Sequence, residues 1–215
     1  MTMTDETTST AITRVDMELP WQTLSDLASV SATCPADDER PILRAIHLVS
    51  DGRTVTATAT DSYALAIVTT TPEDAPPAFE VLIPATWLNA ALKATKPGRV
   101  GRWHVHLTLA ADEHGGTVTL STLAGDVSTS GPLMAGDYPK FTNVIPTPAQ
   151  YVHERAAFNA AFLSRMAKIL PAETGKRGRD PRPWTCEMIS TTRPSVWKTS
   201  ARDCEGLFLL MPVRL

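Results

Sequence analysis

Val15, Met17 and Leu19 alternate with Arg14, Asp16 and Glu18, the period-two spacing of a half-buried strand. Pro20 then opens a helical stretch in which Trp21, Leu24, Leu27 and Ala28 recur at helical spacing, and Cys34-Pro35 ends it. Two apolar-alternating runs flank Ser50-Asp51-Gly52-Arg53, and Asp-Gly between such runs predicts a hairpin. "TVTATATD" continues that hairpin, "SYALAIVTT" predicts a further strand, and "TPEDAPPA" is a Pro-rich loop.

The same order then returns. Glu80 to Ile83 predicts a short strand, and Pro84 starts a helix that runs through Lys96 and is ended by Pro97-Gly98. Trp103, Val105, Leu107 and Leu109 alternate with polar residues, "DEHGG" turns the chain, and "TVTLST" and "DVSTS" predict two more strands. A third round begins at Tyr151. "YVHER" leads into a helix over 157–170, halted by Pro171, and "PWTCEMIST", "SVWKTSA" and "GLFLLMPVRL" follow as strands. The unit β-α-β-β-β thus occurs three times at a period of about 60–70 residues. A weak echo supports the repeat, with Trp87-Leu88 and Lys93 in the second helix answering Phe162-Leu163 and Lys168 in the third. The fold class is α+β, with sheets that join edge to edge and each bury one face of an amphipathic helix.

Composition narrows the classes. The chain has 215 residues, 43% of them hydrophobic, which suits a folded protein with a sizeable core. A net charge of −3 argues against a non-specific coater of nucleic acid, so any DNA contact must come from local basic patches. Cys34, Cys186 and Cys204 are few and odd in number, residues 1–11 form a polar, Thr-rich leader expected to be disordered, and no apolar run is long enough to span a bilayer. These features suggest a reducing, cytoplasmic setting.

No catalytic constellation stands out: there is no Gly-rich phosphate loop, nucleophile elbow or cysteine pair at metal spacing. His104 and His106 share a strand face, but His47, His114 and His153 are scattered, and a solvated face accounts for the pair better than a metal. Asp37-Asp38-Glu39 and Asp112-Glu113 fall in turns, so a non-enzymatic role without cofactor is the expectation. The cations carry more information. Lys93, Lys96 and Arg99 lie on or just after the second helix, Arg165 and Lys168 share a face of the third, and Lys176, Arg177, Arg179 and Arg182 crowd one loop. Were equivalent helices to face the same way, these residues would form a positive stripe meeting phosphates without reading bases. The first helix carries no lysine or arginine.

Three separated stretches resemble the bacterial replicative sliding clamp, the beta subunit of DNA polymerase III. "LRAIHLVSDGRTVTATATDSYALAIV" looks like that family's middle domain, with Thr60-Asp61-Ser62-Tyr63-Ala64-Leu65 falling at its Thr-Asp-x-x-Arg-Leu turn. "GDYPKFTNVIP" resembles its connector, and the terminal "MPVRL" resembles its ending, Met-Pro-x-Arg-Leu. The resemblance covers roughly residues 12–147, as a complete domain of two units, and 150–215, as a half-domain.

It implies a DNA-clamp fold with helices on the inner face and sheets outside, and a processivity factor that encircles double-stranded DNA regardless of sequence. It also implies a clamp loader, and DNA polymerase and repair proteins docking through short clamp-binding motifs. Carried over by position, the peptide pocket is Thr60, Ser62, Tyr63, Ala64, Leu65, Pro139, Asn143, Val144, Leu209, Met211, Pro212, Val213, Arg214 and Leu215. The chain departs from the family at Ala64 and Asn143, where cations are lost, and at Lys140, where one is gained. At three units per chain, the twelve-unit ring this family builds takes four chains, so a homo-oligomeric ring, a head-to-tail tetramer, is expected. The alternative is a clamp-derived adaptor or competitor that binds peptides without encircling DNA.

Overall fold

Each of the first two units gives its leading strand away. β1 (Val15–Pro20) pairs antiparallel with β6 (His104–Ala110), Val15 opposite Leu109 and Pro20 opposite His104. In return β5 (Phe79–Pro84) pairs with β2 (Ala45–Ser50), Ala45 opposite Pro84 and Ser50 opposite Phe79. The two units therefore cap one another's sheets. This computed structural model describes residues 14–35, 40–74, 76–98, 103–110, 116–145, 157–169, 174–175, 178–179, 184–188, 190, 192–201 and 204–213.

The remaining strands are β3 (Val55–Thr60), β4 (Ala64–Thr70), β7 (Thr117–Thr122), β8 (Ser128–Pro132), the short pair β9 (Thr174–Gly175) and β10 (Gly178–Arg179), and β11 (Thr185–Glu187), β12 (Ser195–Ala201) and β13 (Cys204–Leu210). One sheet runs β1-β6-β7-β8 and the other β11-β12-β13-β4-β3-β2-β5. The third unit is thus not a separate body in the larger sheet. β13 lies against β4 over its whole length, from Cys204 opposite Thr70 to Leu210 opposite Ala64.

The helices begin where the proline signals place them. α1 (Trp21–Ala28) follows Pro20 and α2 (Ala85–Ala94) follows Pro84. On α2 the buried positions Ala85, Leu88, Ala91 and Leu92 recur at helical spacing, and Thr95 closes the helix by returning its backbone N–H and its hydroxyl to the Ala91 carbonyl, both at 2.9 Å. α1 stops short of Cys34-Pro35 and tightens into a 3-10 turn over Ser29–Thr33, where the β-branched Val30 and Thr33 are buried. α3 (Ala160–Met166) is shorter than the expected helix over 157–170, because Asn159 caps it by accepting the Ala161 N–H at 2.9 Å and Ala157 forms a bridge to Val213 instead. The expected basic loop contains the β9–β10 pair. The leader, Asp37–Glu39, Asp112, Glu113 and the strand over 151–155 lie outside the described residues.

Strand alternation sorts the side chains into two layers. Ile46, Leu48, Ala57, Ala64, Ala66, Val68, Phe208 and Leu210 face the helices and share one core with Leu24, Leu27, Leu88, Met166 and Ile169. The 3-10 turn touches α3 and is tied to α2 by the 3.0 Å bond from Asn89 Nδ2 to Ser31 Oγ, so the helical elements form a layer on one face. On the opposite face Leu65, Val196 and Leu209 make a second cluster with Ile67, Leu207, Phe141 and Ile145. No helix among the described residues is long and apolar enough to cross a membrane.

One close approach fixes the edge strand of the smaller sheet. A Cβ built on Gly131 of β8 would stand 2.3 Å from Nε1 of Trp87 on α2, so only glycine lets that ring pass. Gly131→Ala should lower stability by about 1–3 kcal/mol in chemical denaturation, since the ring must leave its place.

Candidate functional site

Leu65, Leu209 and Val196 stand side by side on neighbouring strands: Leu65 is the register partner of Leu209, and Leu209 that of Val196. Each is nearly inaccessible, and together they form an apolar floor on the face away from the helices. Where the strands end, this floor opens into a cleft of about 130 Å³ lined by Thr60, Ser62, Tyr63, Ala64, Leu65, Phe141, Val144, Pro194, Leu209 and Met211. Three of its walls end in exposed apolar side chains, Tyr63 at 64%, Val144 at 51% and Met211 at 41%. Apolar surface left open at one spot by separate segments is area that the chain's own core does not use.

The first wall is the turn joining β3 to β4. Asp61 is buried and organises it, its Oδ1 accepting the N–H groups of Tyr63 at 3.0 Å and Ala64 at 2.8 Å. The Thr60 hydroxyl donates to the Ala64 carbonyl at 2.7 Å and accepts the Ser62 N–H at 3.1 Å. These bonds hold Ser62 at φ +77°, a left-handed conformation that costs a non-glycine residue, and Arg40 secures its Oγ at 2.7 Å. The result is a stiff loop that projects Tyr63 into solvent.

The second wall is the connector after β8. Tyr138 stacks on His47 at 4.8 Å between centroids, and Phe141 meets the same imidazole edge-on at 6.3 Å. His47 bonds Glu80 through Nε2 at 2.8 Å. Phe141 and Ile145 then pack on the apolar floor, which places the short turn Thr142–Val144 with Val144 at the rim. Burial drives the Tyr138 phenol well above its usual range, so it stays protonated; its hydroxyl lies toward the backbone of Thr60 without a well-formed bond. Beneath the turn, burial and then the Asp61 charge push the Cys34 thiol up to about 12, which keeps it neutral.

The third wall is the chain after β13. Met211 reaches the cleft, while Val213 turns aside and donates its N–H to the Ala157 carbonyl at 2.7 Å. Thr60, Ser62, Tyr63, Ala64, Leu65, Val144, Leu209 and Met211 are therefore brought together as the motifs suggest. Pro139, Asn143, Pro212 and Val213 do not line the cleft, and Arg214 and Leu215 lie outside the described residues. Phe141 and Pro194 complete it. Phe141 was visible within the connector stretch as an aromatic on an exposed segment; Pro194 carries no local signal, because only the pairing of β12 with β13 brings it near.

The basic residues separate into two groups. Lys93 on α2, Lys96 just after it and Lys168 just after α3 are exposed on the helix layer, and Lys140 is exposed on the connector. Arg165 turns to the loop between β3 and β4: its guanidinium pairs with Asp61 and lies 5.1 Å over the Phe162 ring. The backbone of Arg179 belongs to β10, and Arg99, Lys176, Arg177 and Arg182 lie outside the described residues. His104 and His106 share a strand face as expected, with His104 3.5 Å from Glu18.

By its geometry the molecule is an α+β fold built on two main sheets: helices cover one face, and an apolar cleft opens on the other. Comparison with known proteins gives that architecture a family likeness. The chain is 32% identical to the Beta sliding clamp of Micrococcus luteus over 155 residues, 70% of this chain and 47% of that protein. It matches the crystal structure of the DNA polymerase III beta chain of Streptococcus pneumoniae TIGR4 with a TM-score of 0.68 at 18% identity, covering 93% of this chain and 65% of that one. The beta subunit from Streptococcus pyogenes follows at 0.66 with 14% identity, covering 93% and 66%, and the sliding clamp from Bacillus subtilis at 0.60 with 16%, covering 93% and 64%. No protein-family model matches. The chain has the sliding-clamp fold and is clamp-like in sequence; it spans about half the length of the curated relative it matches.

Tyr138 offers a direct check on how the connector is held. Tyr138→Phe should change stability by less than about 1 kcal/mol, because the hydroxyl makes no well-formed bond, whereas Tyr138→Ala should cost about 2–4 kcal/mol through the lost stack. Urea denaturation of the two variants distinguishes ring from hydroxyl.

Proposed function

We propose that this chain is a non-enzymatic, clamp-like tether that receives short peptides of DNA polymerase and repair proteins in the cleft between the 60–65 turn, the connector and the end of β13. The observation that carries this reading is the cluster of exposed apolar side chains, Tyr63, Val144 and Met211, around the buried floor of Leu65 and Leu209. Aliphatic and aromatic anchors suit that floor, and the few polar groups at the rim suit orientation more than affinity. Met211 is unbranched and adaptable, which fits a site that accepts varied partners. The likeness to Beta sliding clamp and DNA polymerase III beta chains supports the same reading.

On the helix layer, Lys93, Lys96 and Lys168 would meet the phosphates of double-stranded DNA without regard to sequence, with Arg99, Lys176, Arg177 and Arg179 as further candidates. Encirclement would need a ring of several chains, and three units per chain favour a tetramer, opened onto DNA by a clamp loader. A second reading has two observations in its favour. α1 carries no basic residue and Arg165 is held by Asp61, so the positive stripe is thinner than a ring lining requires. In that reading the chain is a cytoplasmic peptide-binding adaptor that does not surround DNA.

Two measurements test these readings. A labelled peptide carrying adjacent leucine and phenylalanine anchors should bind the full chain at micromolar concentration, and Tyr63→Ala or Met211→Asp should weaken it about tenfold or more. No binding by the unaltered chain would remove the peptide reading. Retention on closed circular DNA, lost on linearisation and paired with a tetramer in light scattering, is expected of the ring; a monomer that binds the peptide but not the circle would leave the adaptor. Lys93→Glu with Lys96→Glu and Lys168→Glu should abolish DNA retention and spare peptide binding.

A further inference from the structure

We propose that Arg165 is a positioning residue for the cleft: reaching across from α3, it sets the carboxylate on which the 60–64 turn is built. The inference rests on the peptide-binding reading of that cleft. Asp61 is the hub of the turn, and its two oxygens divide the work. Oδ1 accepts the Tyr63 and Ala64 N–H groups, while Oδ2 is taken by Nη1 of Arg165. The Asp61 side chain is only 8% exposed, so its charge needs a partner, and Arg165 supplies one from 104 positions along the chain.

The guanidinium acts on the turn by a second route. It lies over the Phe162 ring, and Phe162 in turn stands 6.5 Å from Tyr63, the most exposed aromatic of the cleft wall. Carboxylate and aromatic are thus both oriented by one side chain that does not itself line the cleft. A planar fork can hold an oxygen and cover a ring at once; an ammonium cannot do both as well. Because Ser62 sits at φ +77°, the turn keeps its shape only while its bonds outweigh that strain. Without Arg165 the carboxylate would swing toward water, releasing the two amides and the placement of Tyr63.

The test follows hydrogen exchange at the Tyr63 and Ala64 amides together with binding of the labelled leucine–phenylalanine peptide. In Arg165→Gln both amides should exchange at least about tenfold faster while the amides of the β3–β4 ladder stay protected. Peptide affinity should fall about fivefold or more. Arg165→Lys should restore part of each, Asp61→Asn should reproduce the loss, and the double variant should be little worse than either alone. Ser164→Ala, exposed on the same helix, should match the unaltered chain, and melting curves followed by circular dichroism establish that each variant is folded. Should Arg165→Gln unfold, Arg165→Lys carries the comparison. Unchanged exchange beside normal peptide binding would overturn the positioning role alone. Faster exchange in a protein whose unaltered form never binds the peptide would overturn the cleft reading, and this role with it.

Discussion

The antiparallel ladder between β4 and β13 is the contact on which the rest of the molecule depends. Its seven paired positions set Leu209 beside Leu65 and Phe208 beside Ala66, so a single register decides both faces of the larger sheet. A slip of one residue would turn Leu207 and Leu209 toward the helices and Phe208 toward the connector. The floor of the cleft and the packing of the third unit onto the core are therefore one specification. At the far edge of the smaller sheet, β8 is constrained instead by the single close approach of Gly131 to Trp87, and its burial alternates only between exposed and half-buried.

Charge and burial divide the two faces in a related way. On the helix side, Lys93, Lys96 and Lys168 are exposed above a largely apolar core, beside which Asp26 of α1 is buried and accepts from Gln22. On the other side, the only ionic group of the turn that is drawn inside, Asp61, is compensated by backbone amides and by an arginine from another unit. Isolated surface pairs such as Arg14–Asp16, at 2.7 Å but open to solvent, add little by comparison. At the cleft turn, electrostatics acts at a buried point and through geometry.

Much of this was legible in the sequence because it is local. Period-two runs marked β1 and β6, Asp51-Gly52 marked the first hairpin, and Pro20 and Pro84 marked helix starts within a residue. The length of α3 was not legible, since its start depends on Ala157 finding Val213. Nor was the exchange of β1 and β5, which no local signal encodes. The cleft divides in the same way: motif positions such as Thr60, Leu65, Val144 and Met211 converge, but Pro194 arrives only through long-range pairing. Arg165 was read as one member of a helical stripe because spacing along α3 says nothing about Asp61 on a distant turn.

The order in which the walls appear along the chain has a consequence for synthesis. The 60–65 turn and the connector emerge early, but the floor stays open until β13 follows from the ribosome and docks against β4. Docking of that kind joins residues more than a hundred positions apart and comes late in folding. A growing chain would thus keep the cleft open on one side until β13 has paired with β4, so on the peptide-binding reading proposed above its walls meet only once that ladder has formed.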